Sequence, residues 1–348
     1  MFAAWSGDCT GAGACQLIMD GAKNVTATFN LAPLPTVASD FNDDGKSDIL
    51  YRNASTGQVF RIFMNGFANA GGAMAYTEPD LGWKIVADAD FNGDGVADLL
   101  WRHSSTGQIY VMPFTVAGMP ASGAVIHTEP NPAWKIVHQP DIDGDGKADI
   151  LWWNSSTGQV YVMLMNGTAI TAQGFAYTEP NTQWSIIAVG DFAGSGKKNQ
   201  LLWRNVATGQ VYQQTLNFSA GAFPQSGVMI YTEPNLAWKI LAAADFDGNG
   251  KSDILWRHDT TGQVYVMPMN GATVLPGAIV YTEPSAAWKI VAQGDYDGDG
   301  KADLLWRHDG TGQLYMVRMN GLTLGPQAMV YTEPNTAWKV LGPYEYAQ

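Results

Sequence analysis

One block of about fifty residues recurs six times along this 348-residue chain, and that recurrence limits the fold more than any other feature. A Tyr-Thr-Glu-Pro segment, or its His-Thr-Glu-Pro variant, begins at Tyr76, His127, Tyr177, Tyr231, Tyr281 and Tyr331. Seven residues after each comes a tryptophan: Trp83, Trp134, Trp184, Trp238, Trp288 and Trp338. Acidic loops open at Asp40, Asp90, Asp141, Asp191, Asp245 and Asp295, spaced 50, 51, 50, 54 and 50 residues apart. A Thr-Gly-Gln turn follows each loop, with its glycine at Gly57, Gly107, Gly158, Gly209, Gly262 and Gly312.

The unit that starts at Trp83 parses into four short strands. WKIVA is the first, ADLLWRH the second, IYVMPF the third and GAVIHTE the fourth, with the acidic loop between the first two. Each run is rich in β-branched and aromatic residues and bounded by turn chemistry, and no stretch of helical length shows a helical period. Thirteen Trp, 14 Tyr and 13 Phe beside 39 Gly and 17 Pro suit such a pattern. The reading is an all-β chain: a six-bladed β-propeller of four-stranded antiparallel blades over residues 32–348, with residues 1–31 a separate remnant. The last repeat ends in a lone first strand, WKVLGPYEY, while the first repeat has APLPTVAS where a first strand belongs. The C-terminal strand is therefore expected to complete blade one; a seven-bladed ring or an open array is the alternative.

The acidic loops carry the clearest chemistry. In DFNGDGVAD, side-chain oxygens at positions 1, 3, 5 and 9 (Asp90, Asn92, Asp94, Asp98) can converge on one cation, with Gly95 allowing the sharp turn. An all-oxygen set with several carboxylates suits Ca²⁺, whereas Zn²⁺ prefers His and Cys. An EF-hand needs a Glu at position 12, and position 12 here is Trp101. The same ligands recur as Asp40/Asn42/Asp44/Asp48, Asp141/Asp143/Asp145/Asp149, Asp245/Asp247/Asn249/Asp253 and Asp295/Asp297/Asp299/Asp303. The loop at Asp191 has Ala193, Ser195 and Asn199 at ligand positions, beside Lys197 and Lys198, and is expected to be empty or bridged by a lysine. Five divalent cations would bring the formal charge of −13 to −3, so the acidity reads as metal sites. The same charge speaks against a nucleic-acid partner.

DFNGDGVADLLW and its sister copies resemble the FG-GAP/VCBS-type repeats of integrin α-subunit propellers and of many secreted bacterial proteins. The resemblance covers about residues 33–348, and it implies calcium loops on one face with ligands bound at the opposite face or between blades. Its Phe-Gly and Gly-Ala-Pro segments are not evident here; YTEP and the following Trp stand in their place. The stretch from Trp5 to Phe29 looks like the end of a small bacterial surface repeat, which implies a larger secreted or cell-surface parent. In that setting Cys9 and Cys15 are expected to form a disulfide, with two free thiols the alternative.

Other repeated groups read as structural. Six of the seven glutamates fall in Thr-Glu-Pro, and five of the seven arginines follow the strand-two aromatic: Arg52, Arg102, Arg204, Arg257 and Arg307. Each Glu is expected to pair with an Arg, except in blade three, where Trp153 replaces it. The repeat tryptophans read as interblade packing, with stacking on sugar rings the alternative. His103, His258 and His308 occur in three blades of six and are the candidate ligand-binding positions. No nucleophile elbow, phosphate loop or His-rich cluster appears, so the chain is read as a non-enzyme. No run of 18 apolar residues occurs. The expected role is a calcium-binding recognition or adhesion module for an extracellular glycan or protein. The alternatives are a structural or self-assembling subunit or spacer, and an accessory domain of a larger secreted enzyme.

Overall fold

A computed structural model describes residues 2–11, 13–18, 20–29, 37–116 and 118–342, and it divides the chain into two compact units, Met1–Thr36 and Val37–Gln348. The first carries an antiparallel pair, Phe2–Gly7 with Val25–Phe29, and a Cys9–Cys15 disulfide with Cα atoms 5.9 Å apart. The boundary expected at residues 31/32 lies outside the described residues. Among the described residues there is no helix, and so none long and apolar enough to cross a membrane.

The second unit is six four-stranded antiparallel blades. Blade two is typical: Trp83–Ala89 innermost, then Asp98–His103, Gln108–Met112 and Ala124–Thr128. Second strands are buried on both faces, as in Ile49–Asn53, which explains their near-continuous apolar runs. Third strands alternate, as Gln58–Asn65 shows, with one face packed on a neighbouring blade. Each core spans two blades: Phe91, Leu100 and Val111 of blade two pack with Ile136, Ile150 and Trp152 of blade three.

The ring closes as expected. Trp338–Leu341 pairs with Ile49–Asn53 in the register Trp338↔Asn53, Lys339↔Arg52, Val340↔Tyr51. Blade two uses the same register, Trp83↔His103, Lys84↔Arg102, Ile85↔Trp101. Sequence-distant strands thus complete blade one as sequence-adjacent strands complete the others.

The turns repeat because backbone packs on backbone. At Gly57, φ is 73° and an added Cβ would lie 1.7 Å from the Glu78 carbonyl oxygen, so the Thr-Gly-Gln turn requires glycine against the Thr-Glu-Pro segment.

Candidate metal centres and interblade pockets

Each acidic loop is folded by its own first aspartate. Asp90 Oδ1 accepts from the Asn92 and Gly93 amides at 3.1 and 2.6 Å, and Oδ2 accepts from Gly95 at 2.9 Å. The carboxylate does the work of a turn template, drawing positions 3 to 6 around itself. An apolar residue at position 2 pins the loop to the core: Phe41, Phe91, Ile142, Phe246 and Tyr296 are all buried.

Position 9 is the unusual member. Asp48, Asp98, Asp149, Asp253 and Asp303 are between 0% and 3% exposed. Asp98 Oδ2 accepts from the Phe91 amide at 3.1 Å and Oδ1 from Phe114 at 2.9 Å, so one carboxylate ties the loop to the third strand. Burial pushes Asp48, Asp98, Asp253 and Asp303 up to about 7 and Asp149 up to about 8, with the neighbouring loop aspartates adding to the shift. A buried carboxylate among like charges needs either a proton or a cation.

The donor set fits a cation. Carboxylate oxygens of Asp141, Asp143 and Asp149 lie within 4.8 Å of one another, as do those of Asp245, Asp247 and Asp253, and of Asp295, Asp297 and Asp299. Oxygens across one Ca²⁺ stand at most about 5 Å apart, twice a Ca–O distance of about 2.5 Å. In blade six, Arg318 meets Asp297 and lies 3.9 Å from Asp299, so a guanidinium already shares that loop. Lys46, Lys147 and Lys301 sit on the position-5 aspartates Asp44, Asp145 and Asp299 at 3.7, 2.7 and 3.2 Å.

Asn42, Asn92 and Asn249, expected to turn their oxygens to a cation, are engaged with the loop itself. Asn42 Oδ1 accepts the Asp44 amide at 3.2 Å while its Nδ2 donates to Asp44 Oδ2 at 3.4 Å. Asn92 treats Asp94 the same way, at 2.8 and 3.1 Å. Asn249 Oδ1 accepts the Lys251 amide at 2.8 Å. Aspartates at the same places make the same bonds: Asp143 Oδ1 accepts the Asp145 amide at 3.2 Å and Asp299 Oδ1 the Lys301 amide at 2.9 Å, so Asn and Asp shape the loop alike. Among the described residues, the loops of blades one and two do not gather three carboxylates within 4.8 Å.

The loop of blade four is built differently. Its strand pairing sets Gln200 opposite Gly190, where blade five sets Asp253 opposite Ala244. The loop is one residue longer, so Gln200 takes the position-9 place assigned above to Asn199. Gln200 Oε1 accepts the Phe192 and Ala193 amides, the job of an Asp carboxylate without its charge. Asn199 instead donates to the Leu216 carbonyl at 2.7 Å. The lysine bridge expected within the Asp191 loop is not formed among the described residues: Lys197 Nζ donates instead to the Asp143 carbonyl at 2.6 Å, in the loop of blade three. The extra residue is readable in the sequence, since Asp191 precedes Trp203 by twelve residues while the other five loops precede their strand-two aromatic by eleven.

The expected Glu–Arg ion pairs do not form among the described residues. Each Thr-Glu-Pro glutamate caps the next turn, as where Glu129 Oε1 accepts the Asn131 amide at 2.8 Å and Glu283 the Ser285 amide at 2.8 Å. The arginines reach across to the next blade. Arg257 donates to the Trp288 carbonyl at 2.9 Å and lies 4.9 Å from the Trp306 ring centroid. Arg52, Arg102 and Arg204 stack likewise on Trp101, Trp152 and Trp256. A backbone carbonyl and a ring face satisfy the guanidinium without a carboxylate.

The three histidines have a structural job. His258 Nδ1 accepts the Thr260 and Thr261 amides, and its ring meets Trp238 edge-on at 5.1 Å. His103 and His308 are placed alike. In blades one, three and four, Asn53, Asn154 and Asn205 accept the corresponding amides. The strand-two tryptophans are about 2% exposed and pack between blades, while the repeat tryptophans Trp83, Trp134, Trp184, Trp238, Trp288 and Trp338 are half-buried.

Two pockets open between blades. One of about 270 Å³ is lined by Tyr177 and Glu179 of blade three and Trp184, Trp203 and Tyr212 of blade four. The other, about 190 Å³, lies one interface earlier, where His127, Glu129, Trp134, Trp152 and Tyr161 take the matching positions. No sequence signal singled these out, because the contributing residues come from at least four strands on two blades.

Residues 141–203 and 245–306 match the family described as FG-GAP-like repeat, and residues 81–112 match the FG-GAP repeat. No curated protein matches the sequence. Among solved structures, the chain is similar to part of a Photorhabdus luminescens Tc holotoxin pore at 16% identity and a TM-score of 0.56. That match covers 84% of this chain and 14% of the toxin chain. It is also similar to a chain of a nidogen/laminin complex, at 12% identity and a TM-score of 0.51, over 85% of this chain and 96% of the other.

Proposed function

Taking the chain as an FG-GAP-repeat β-propeller, we propose that it is a calcium-stabilised recognition module of a secreted or cell-surface protein, binding a protein partner rather than catalysing a reaction. The buried position-9 aspartate carries the calcium half of this reading. It is present in all five loops that keep the acidic pattern, and is replaced by uncharged Gln200 in the one loop that has lost it. A carboxylate buried among like charges suits a loop that a cation completes, and an uncharged acceptor suits one that it does not.

The recognition half rests on the FG-GAP repeats and on similarity to propellers seen in a holotoxin pore and in a nidogen/laminin complex. Among the described residues, the repeated Glu, Arg, His and Trp serve structural jobs, which supports recognition over catalysis. The calcium ions would hold the loops while the face and interblade surfaces make contact. Immobilised protein screened against extracellular matrix proteins and a glycan array, in millimolar calcium and after chelation, tests this. Saturable binding to a protein, weakened by chelation, supports the proposal; binding confined to glycans, or turnover of a polysaccharide, would contradict it.

A further inference from the structure

The interface between blades three and four lacks the positive charge that its neighbours carry. At four described interfaces a strand-two arginine lies 4.8–5.4 Å from the ring centroid of the next blade's tryptophan. Each of these arginines also has the Glu of its own blade within electrostatic reach: Glu78, Glu129, Glu233 and Glu283. In blade three the position is Trp153, which packs against the shared apolar core. Among the described residues, no guanidinium lies over Trp203 and no cation faces Glu179.

The larger interblade pocket opens at this place. Tyr177 meets Trp203 edge-on at 5.8 Å and donates to Glu179 Oε2 at 3.1 Å. Trp184 has no ring against it among the described residues. In blades two, five and six a histidine packs on the matching tryptophan, and in blade three Phe175 does. Blade four has Asn205 and Met229 at those places, which leaves the space open. Tyr177, Glu179, Trp184 and Tyr212 are half-buried, so the pocket reaches solvent.

We propose that this pocket is an aromatic cage for a substituted ammonium cation, supplied from outside in place of the missing arginine. Ring faces attract cations, and desolvation strengthens the attraction. The neighbouring carboxylate adds charge complementarity. Both Glu179 oxygens already accept hydrogen bonds, from the Asn181 amide and the Tyr177 hydroxyl. The cage therefore favours an ammonium whose methyl groups need no acceptors over a guanidinium with five donors. Such a group comes from a free choline-like solute or from a methylated lysine on a protein. This site goes beyond the calcium-dependent recognition role and does not draw on it.

Calorimetry on the full chain in millimolar calcium tests the proposal, with choline, its neutral isostere 3,3-dimethylbutan-1-ol, and a trimethyllysine peptide against its unmodified form as probes. Choline or the methylated peptide should bind at least about tenfold tighter than its control, and the tighter of the two identifies the source. Glu179→Gln should weaken binding about tenfold. Trp153→Arg restores the repeat's own cation and should abolish binding while leaving the melting temperature equal or higher. Equal binding of choline and the neutral alcohol would overturn the proposal. So would unchanged binding in Glu179→Gln, or no binding of either cationic probe at about 10 mM by folded protein.

Discussion

Blades four and five stand side by side and begin their loops almost alike, DFAGSGKKNQ against DFDGNGKSD, yet the two loops reach stability by opposite means. Blade five gathers Asp245, Asp247 and Asp253 within 4.8 Å and buries the last of them completely. Blade four keeps only Asp191, places Gln200 where the buried charge would be, and sends Lys197 to a carbonyl of blade three. One loop gathers acids around a buried carboxylate. The other is held by neutral hydrogen bonds to Gln200. The difference extends to the stitching between loops. Ala302 donates to the Asp245 carbonyl at 2.7 Å and Ser252 to Asp191 at 2.8 Å, but no such bond joins blade four back to Asp141 among the described residues. The loops thus serve the ring as well as the blade, and among the described residues the blade with the altered loop lacks that bond to the blade before it.

Removing calcium should separate the two kinds of loop most strongly. Five sites at millimolar calcium contribute about 1 kcal/mol each, several in all, so chelation should lower the melting temperature by many degrees. The pH dependence should then invert. In the chelated protein the position-9 aspartates hold protons to about pH 7–8, while the unfolded chain releases them near pH 4. The unfolded state binds fewer protons across that window, so chelated protein loses stability as pH rises from 5 to 8. Calcium-loaded protein should hold or gain stability over the same range. Thermal melts at both pH values, with and without chelator, check both signs.

Asp253→Asn should give a smaller effect whose size depends on the ion. In calcium it loses a ligand and about 1–2 kcal/mol; in chelator at pH 8 it removes a buried charge, which offsets the lost acceptor, so the destabilisation should be smaller. Equal destabilisation in both conditions would mean the carboxylate acts only through its bonds to Phe246 and Met269.

Rebuilding blade four as an intact loop, by deleting Lys198 and introducing Ala193→Asp, Ser195→Asp and Gln200→Asp, should add one calcium to the stoichiometry. Its gain is about 1 kcal/mol at millimolar calcium. Calcium-dependent melting of the rebuilt chain against the wild type would detect it.

Much of this architecture was legible in the sequence because it repeats. Six Trp positions in phase set the blade count, and the unmatched WKVL strand at the C-terminus announced the closure that its pairing with Ile49–Asn53 shows. The disulfide was legible only through its setting. Side-chain partners were not legible: Glu and Arg recur in phase and carry opposite charges, but the guanidinium finds a carbonyl and a ring face one blade away. The loop bonds were legible only in part: Asn42 and Asn249 each accept a loop amide, as aspartates do at the matching places. The role of the histidines was hidden for a related reason. Imidazole Nδ1 and amide Oδ1 accept the same two turn amides, so His and Asn alternate at one place without any change in the turn.

The smallest expected effect follows from that equivalence. His258→Asn should change stability by about 0.5 kcal/mol or less and leave partner binding unchanged, as thermal melts and the same binding screen would show.

The most direct test of the account is an anomalous difference map from crystals grown in millimolar calcium. The account predicts calcium density in the loops that open at Asp40, Asp90, Asp141, Asp245 and Asp295, and none in the loop at Asp191. Density at Asp191, or five loops without ions in a folded protein, would contradict it.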